Sequence, residues 1–257
     1  MCILHGFPTS SFDYWKVIDL LSKNYRVIIH DHLGFGFSDK PQQYSYSLIE
    51  QSDMALSLWV SLGVTKAIVL AHDYGTSILT ELLARDNHGL CSIEIEKVIL
   101  CNGSMHIELA QLRLMQKLLR NRFLGPLITK LFNMKTLGRN LKAIYCDDSR
   151  ISEQEIKTIW SMMIHNEGRT VLAKISRYTF ERSYFWHRWI GALKQTNVPI
   201  EIVWPRDDPI AVAEMARVIN KESKNSRLYW LDDLGHFPML EAPRKWSDLV
   251  LKVASLE

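Results

Sequence analysis

The stretch Val69 to Ser77, VLAHDYGTS, runs from apolar residues straight into an aspartate flanked by small ones. Asp73 has two roles open to it. Aspartate is a favoured helix N-cap, its carboxylate accepting from the backbone of the first turn. Alternatively, a sharp strand-to-helix turn presents its central residue as a nucleophile, and its strained backbone needs small neighbours such as Ala71 and Gly75. Read locally, cap and nucleophile are evenly matched. Residues elsewhere shift the balance. His236, in DLGHFPMLEAP, stands on a glycine-bearing loop and is a candidate base. Asp208, in WPRDDPIA, is placed to fix the tautomer of His236 and stabilise its charged form, with Asp207 as the adjacent competitor. HGFPTSS contributes Phe7, whose backbone N–H together with that of Tyr74 forms a candidate oxyanion site.

These residues need elements to bring them together. In open α/β sheets, ligands bind beyond the carboxyl ends of the strands. Each candidate follows an apolar run: Cys2-Ile3-Leu4 before His5, KAIVLAHDYG, PIEIVWPRDD and RLYWLDDLGH, with YRVIIHDHLG and EKVILCNGS completing the set. Between the runs lie helical patterns such as SLIEQSDMALSLWVSLG, TSILTELLARD and PRKWSDLVLKVASLE. The alternation predicts an α/β fold with a mostly parallel sheet and helices on both faces. Met105 to Leu193 breaks it with helix-like stretches, ELAQLRLMQKLLRNRF and SEQEIKTIWSMMIHNEG among them, and no clear strand. The expected organisation is therefore a core over 1–104, a helical lid over 105–193 and the rest of the core over 194–257.

Composition sets the outer bounds. Hydrophobic residues make up 47% of 257, enough for a sizeable core, and a formal charge of +3 is too small to argue for nucleic acid. Cys2, Cys91, Cys101 and Cys146 show neither CxxC pairing nor metal-ligand spacing, so free thiols in a reducing compartment are expected. With no membrane-length apolar run and no signal-peptide pattern, the expected location is cytoplasmic.

HGFP, DHLGFGFSDKP, AHDYG, WPRDDP and GHFPMLEAP, in this order, resemble the oxyanion loop, signature turn, nucleophile elbow, acid loop and histidine loop of the α/β-hydrolase superfamily. Aspartate at the elbow is similar to epoxide hydrolases and haloalkane dehalogenases. HGFPTSS, LGFGFSDKP, HDYG, LCNGS and RWIGAL are most similar to the mesoderm-specific-transcript branch. The resemblance implies an aspartyl alkyl-ester intermediate at Asp73, hydrolysed by water that His236 and Asp208 activate. It implies no cofactor and no metal, and as substrates water and a small apolar electrophile. Dehalogenases commonly place tryptophan and asparagine N–H donors where this chain has Tyr74 and Phe7, which disfavours halide chemistry. DYGTS also lacks the arginines that fluoroacetate dehalogenases carry beside the elbow. Epoxide hydrolases protonate the epoxide with lid tyrosines. Here Tyr178 is favoured, Tyr145 and Tyr184 are further lid tyrosines, and Trp189 is a further candidate substrate contact.

The family carries two strands ahead of the one ending in HGFP. A chain opening MCILHGFP is expected to lack them, through a misassigned start or a genuine truncation that uncovers a sheet edge. A truncated, non-catalytic binding module is accordingly the rival to the hydrolase reading, with carboxylester hydrolysis a further alternative. From Arg113 to Lys142 the lid carries Arg113, Lys117, Arg120, Arg122, Lys130, Lys135, Arg139 and Lys142 and no acid. A solvated lid face is the plainer reading of that run, and peripheral contact with an anionic membrane or an acidic partner is the sharper one.

Overall fold

The computed structural model describes residues 1–256. Among them, β1 (Cys2–Leu4), β2 (Ile28–Ile29), β3 (Lys66–His72), β4 (Glu94–Cys101), β5 (Ile200–Pro205) and β6 (Ser226–Leu231) form one sheet. Its order is β2-β1-β3-β4-β5-β6, and every ladder is parallel. Three residues suffice for β1 because it is interior. Cys2 pairs with both Ile28 and Val69, and Cys2, Ile3 and Leu4 are all buried. The run Tyr25–Gly34 was expected to be a longer strand, yet only Ile28 and Ile29 join the ladder. Its sole neighbour, β1, offers too short a backbone to pair with more.

The helices are α1 (Ile18–Leu21), α2 (Leu48–Ser61), α3 (Tyr74–Asp86), α4 (Leu114–Leu119), α5 (Leu124–Leu131), α6 (Met134–Lys142), α7 (Glu153–Ile164), α8 (Leu172–Ile175), α9 (Tyr178–Tyr184), α10 (Trp186–Gln195), α11 (Ala213–Glu222), α12 (Pro238–Glu241) and α13 (Pro243–Ser255). Seven of them, α4 to α10, fall between β4 and β5. The single helix expected over Glu108–Phe123 shrinks to α4. There the Asn121 side chain accepts from the N–H groups of Phe123 and Leu124 at 2.9 and 3.0 Å, a local turn that competes with helix continuation. In contrast, α7 starts where the sequence predicts, because Ser152 and Glu155 form a reciprocal capping box.

Parallel strands covered on both faces read as continuous apolar runs. Val69-Leu70-Ala71, Val98-Ile99-Leu100 and Ile202-Val203-Trp204 accordingly form the centre of the core, all fully buried. Helix α3 packs on β1, β3 and β4, while α13 packs on β4 and β5. The last lid helix is anchored to α3 through Glu81. That buried carboxylate takes Arg188 Nε at 2.7 Å, Trp189 Nε1 at 2.9 Å and Arg85 Nε at 3.0 Å. No helix among the described residues is long and apolar enough to cross a membrane.

Candidate active site

At the elbow β3 ends on His72 and α3 begins on Tyr74, so Asp73 must turn the chain alone. It does so at φ 43° and ψ −106°, a strained backbone for a residue with a Cβ. Its side chain makes no capping hydrogen bond to α3. Instead, Oδ2 accepts from the Phe7 N–H at 2.9 Å. The main chain is pinned on all sides: Asp73 N donates to Cys101 O at 3.2 Å, and Asp73 O accepts from Thr76 N at 3.1 Å and Thr76 Oγ1 at 2.6 Å. Only glycine fits at position 75, where an added Cβ would lie 2.3 Å from the Leu4 carbonyl oxygen of β1. The Tyr74 N–H has no hydrogen-bond partner among the described residues. Of the two backbone donors named from the sequence, the Phe7 N–H meets the Asp73 carboxylate and the Tyr74 N–H is unengaged.

His236 and Asp208 arrive from the loops after β6 and β5. His236 Nδ1 donates to Asp208 Oδ2 at 2.7 Å, with both side chains buried. Asp208 Oδ2 also takes Asn102 Nδ2 at 2.6 Å, and its Oδ1 takes the N–H groups of Ile210 and Ala211 at 2.8 and 3.0 Å. Burial opposes the ionised carboxylate, but the His236 charge and these donors outweigh it and lower its pKa. Burial likewise opposes a charged His236. The attraction of Asp208 and its hydrogen bond, helped by Asp73 and Asp13, nonetheless raises the imidazole to about 9. Asp207 is elsewhere, accepting from the exposed Asp233 N–H at 3.1 Å. Asn102 follows β4, in the LCNGS stretch. Its φ of 48°, unusual for a non-glycine residue, belongs to tertiary structure, and sequence spacing carries no trace of it.

No ion pair within 4.0 Å joins His236 to Asp73, although the Asp73 charge helps to raise the His236 imidazole. The gap lies beside a cavity of about 60 Å³ whose lining includes Phe7, His236, Leu119, Phe132, Leu141 and Ile210. That space holds a handful of waters or a small apolar group. Below it, Asp13 is fully buried with Oδ2 accepting from Thr9 Oγ1 at 2.6 Å and Oδ1 unpartnered. Burial raises its pKa to about 8, with Thr9 and His236 opposing and Asp73 and Asp31 adding, so the carboxyl is neutral at pH 7. His72 Nε2 lies 2.7 Å from the His236 carbonyl, which can only accept, so this nitrogen carries the hydrogen. Burial, with the His236 charge, lowers the His72 pKa to about 4, and the neutral ring ties the histidine loop to the elbow.

The lid candidates separate. The Tyr178 ring lies 5.6 Å from that of Phe7 and 4.9 Å from that of Tyr74, directly over the elbow. Tyr145 is buried against Phe237 at 5.8 Å with its hydroxyl unpartnered, next to the histidine loop. Trp189, expected to meet substrate, has its indole N–H engaged by Glu81 between α10 and α3. Tyr184 is 75% exposed. A residue the sequence reading missed sits closer than any of these. Arg182, four residues after Tyr178 on α9, donates from Nε to Ser77 Oγ at 2.6 Å and from Nη2 to Asp73 O at 3.0 Å. Nη2 also lies 4.0 Å from Asp73 Oδ1, and the guanidinium stands 4.5 Å over the Tyr178 ring. The elbow segment lacks an arginine of its own, as read, and the lid supplies one. Only the i, i+4 spacing from Tyr178 hinted at it.

A strained strand-to-helix elbow carrying an aspartate, with a buried aspartate–histidine pair on the loops after β5 and β6 of a parallel sheet, is the arrangement of an α/β hydrolase. The chain belongs to the alpha/beta hydrolase fold family, whose model matches residues 1–243. Its relatives include the putative hydrolase LipZ of Mycobacterium tuberculosis, 36% identical over 98% of this chain and 87% of LipZ. The mesoderm-specific transcript protein of Mus musculus is also 36% identical, over 94% of this chain and 74% of its own length. The solved structure of the epoxide hydrolase CorEH shares the fold at a TM-score of 0.79, with 17% identity over 98% of this chain and 89% of that one.

Proposed function

We propose that this hydrolase works through an aspartyl ester on Asp73 and opens small apolar epoxides. One observation carries the reading: Asp73 occupies a strained elbow without capping the helix behind it, and its carboxylate instead meets the Phe7 N–H. A carboxylate free of the helix has no structural task there that would offset the strain. It attacks an epoxide carbon, the ring C–O bond breaks, and the leaving oxygen takes a proton from the neutral phenol of Tyr178, giving a hydroxyalkyl ester. Burial holds that phenol's pKa well above its ordinary value, so it is fully protonated before the step.

The second half needs a neutral His236, and the first half moves the ring in that direction. Asp73's charge is among the causes holding the imidazole up. Ester formation removes that charge, the pKa falls, and the ring becomes available as a base. Water in the gap between His236 and Asp73 then loses a proton to Nε2 and attacks the ester carbonyl. The oxyanion forms at the N–H groups of Phe7 and Tyr74. Collapse breaks the bond to the alkyl oxygen, which takes the proton of the new Asp73 carboxyl group and leaves as the diol, restoring the carboxylate; the proton on His236 returns through water to the Tyr178 phenolate. Arg182 acts on this sequence as a positioning residue, tying Ser77 and the Asp73 carbonyl to the lid.

The test is turnover of an epoxide panel in oxygen-18 water, followed by mass analysis of the peptide containing Asp73. Label in the Asp73 carboxylate after repeated turnovers supports the ester; turnover without label means direct attack by water. His236→Gln should accumulate the ester mass on that peptide, and Asp73→Ala should show no turnover. An Asp73→Ala protein that still opens epoxides sinks the proposal.

A further inference from the structure

The basic run of the lid coincides with its apolar surface. Phe123 is 84% exposed, Leu114 72%, Leu131 67% and Leu127 55%. All four lie on or beside α4 and α5, which together span only Leu114–Leu131. Helix burial does not explain them, because their inward neighbours Leu119, Gly125 and Thr129 already fill the core side. Isolated exposed leucines are ordinary, but a contiguous apolar ridge ending in a nearly bare phenylalanine is not.

On α4, α5 and the turn joining them every charged side chain is a cation. Lys117, Arg122 and Lys130 have no carboxylate within 4.0 Å among the described residues. Farther along, on α6, Lys142 does find an acid, Glu153 at 3.1 Å. Beside Phe123 opens a groove of about 600 Å³ whose lining includes Arg120, Arg122, Lys174, Arg177 and Tyr184. Its single acid, Glu181, is turned away, accepting from the Leu48 N–H of α2 at 2.9 Å. The surface thus offers apolar side chains that want to leave water, and beside them a trough of cations wide enough for a phosphate-bearing headgroup.

We infer that the α4–α5 face of the lid docks on a lipid bilayer carrying anionic phospholipid. Phe123, Leu127 and Leu131 enter the headgroup–acyl boundary, while Arg122, Lys130 and the groove meet headgroup phosphates and carboxylates. A neutral apolar partner would leave the unpaired Lys117, Arg122 and Lys130 desolvated or idle. A soluble acidic partner would leave Phe123 without a host. A bilayer satisfies both, since interfacial helices combine an apolar face with cations on its flank. Helix α4 turns Met115, Gln116 and Leu119 into the cavity of the candidate active site while Leu114 faces out. Docking would therefore press on one wall of that cavity. This inference stands whether or not Asp73 forms an ester.

Vesicle co-sedimentation of the full chain tests it. The chain should bind phosphatidylcholine vesicles doped with phosphatidylserine and not bind phosphatidylcholine alone. Each Lys or Arg near an anionic surface is worth roughly fivefold in partitioning, so Arg122→Gln with Lys130→Gln should cost about twenty-five-fold. Phe123→Ser with Leu127→Ser should cost at least about tenfold, from lost apolar insertion. Because these side chains are exposed, the variants keep the parent's circular dichroism and thermal midpoint. Raising salt from 0.1 to 1 M, which shortens the Debye length from ~10 to ~3 Å, should release the protein. Equal binding by the Phe123→Ser, Leu127→Ser variant overturns the inference. So does equal binding to uncharged vesicles, or a dimer in sedimentation velocity that those same substitutions dissolve, since a second copy would then be the occupant.

Discussion

Replacing Asp208 by Asn tests the electrical core of the site. The imidazole of His236 is held at about 9 against an ordinary 6.5, a preference for the charged ring worth ~3 kcal/mol. Burial opposes that preference, so it comes from Asp208 first, through its charge and the 2.7 Å hydrogen bond, and from Asp73 and Asp13 second. Asparagine is nearly isosteric and can keep the bonds from Ile210 and Ala211, but it carries no charge. Burial then acts with less opposition, and the His236 pKa should fall by about two pH units or more. Ring-labelled NMR reads this directly: the parent shows an imidazole titrating near pH 9 that disappears in His236→Gln and moves below neutrality in Asp208→Asn. Hydrolysis of the proposed ester should slow on the order of 10³–10⁴-fold, because the wrong tautomer is then favoured. Stability should follow with a defined sign. A folded pKa raised from 6.5 to about 9 contributes stability that is complete below pH 6.5 and lost as pH rises through 9. Across that window the fall in unfolding free energy, read by denaturant unfolding, should be ~3 kcal/mol smaller in Asp208→Asn. If the imidazole of Asp208→Asn still titrates near 9, the account of His236 is wrong.

Other perturbations reach the neighbouring parts. Gly75→Ala should slow turnover about a hundredfold in steady-state assays, because its Cβ needs the space of the Leu4 carbonyl and pushes the elbow off β1; the same clash costs ~1–3 kcal/mol in unfolding experiments. Arg182→Gln should lower kcat about tenfold or more and leave KM nearly unchanged, with Arg182→Lys recovering only part, since one ammonium cannot span Ser77 and the Asp73 carbonyl. An equal loss in both parameters would instead make Arg182 a substrate contact. Asp13→Asn removes a group whose pKa of about 8 makes stability fall from pH 4 to 8, so the variant should gain on the parent across that range, by at most about 6 kcal/mol in pH-dependent unfolding.

Much of this was legible in the residues because it is local or ordered along the chain. Small residues around Asp73, glycine-bearing loops after apolar runs, and the order Asp73, Asp208, His236 follow from what strand ends and tight turns require. The parallel α/β sheet follows equally from continuous apolar runs alternating with helical ones. Whether the Asp73 side chain caps α3 could not be read locally. It needed the direction of one carboxylate, which the contact between the HGFP loop and β3 sets. The roles of Arg182 and Asn102 depend on which lid helix and which strand end lie against the elbow, and residue types carry no record of distances across more than a hundred positions. Trp189 looked like a pocket residue because aromatics near a lid often are, whereas a buried acid 108 residues away had already claimed its N–H. Sequence determined which groups the site could draw on and in what order they come. Tertiary packing decided which of them meet, because hydrogen bonds and charges act over a few ångströms and only the fold brings distant residues that close.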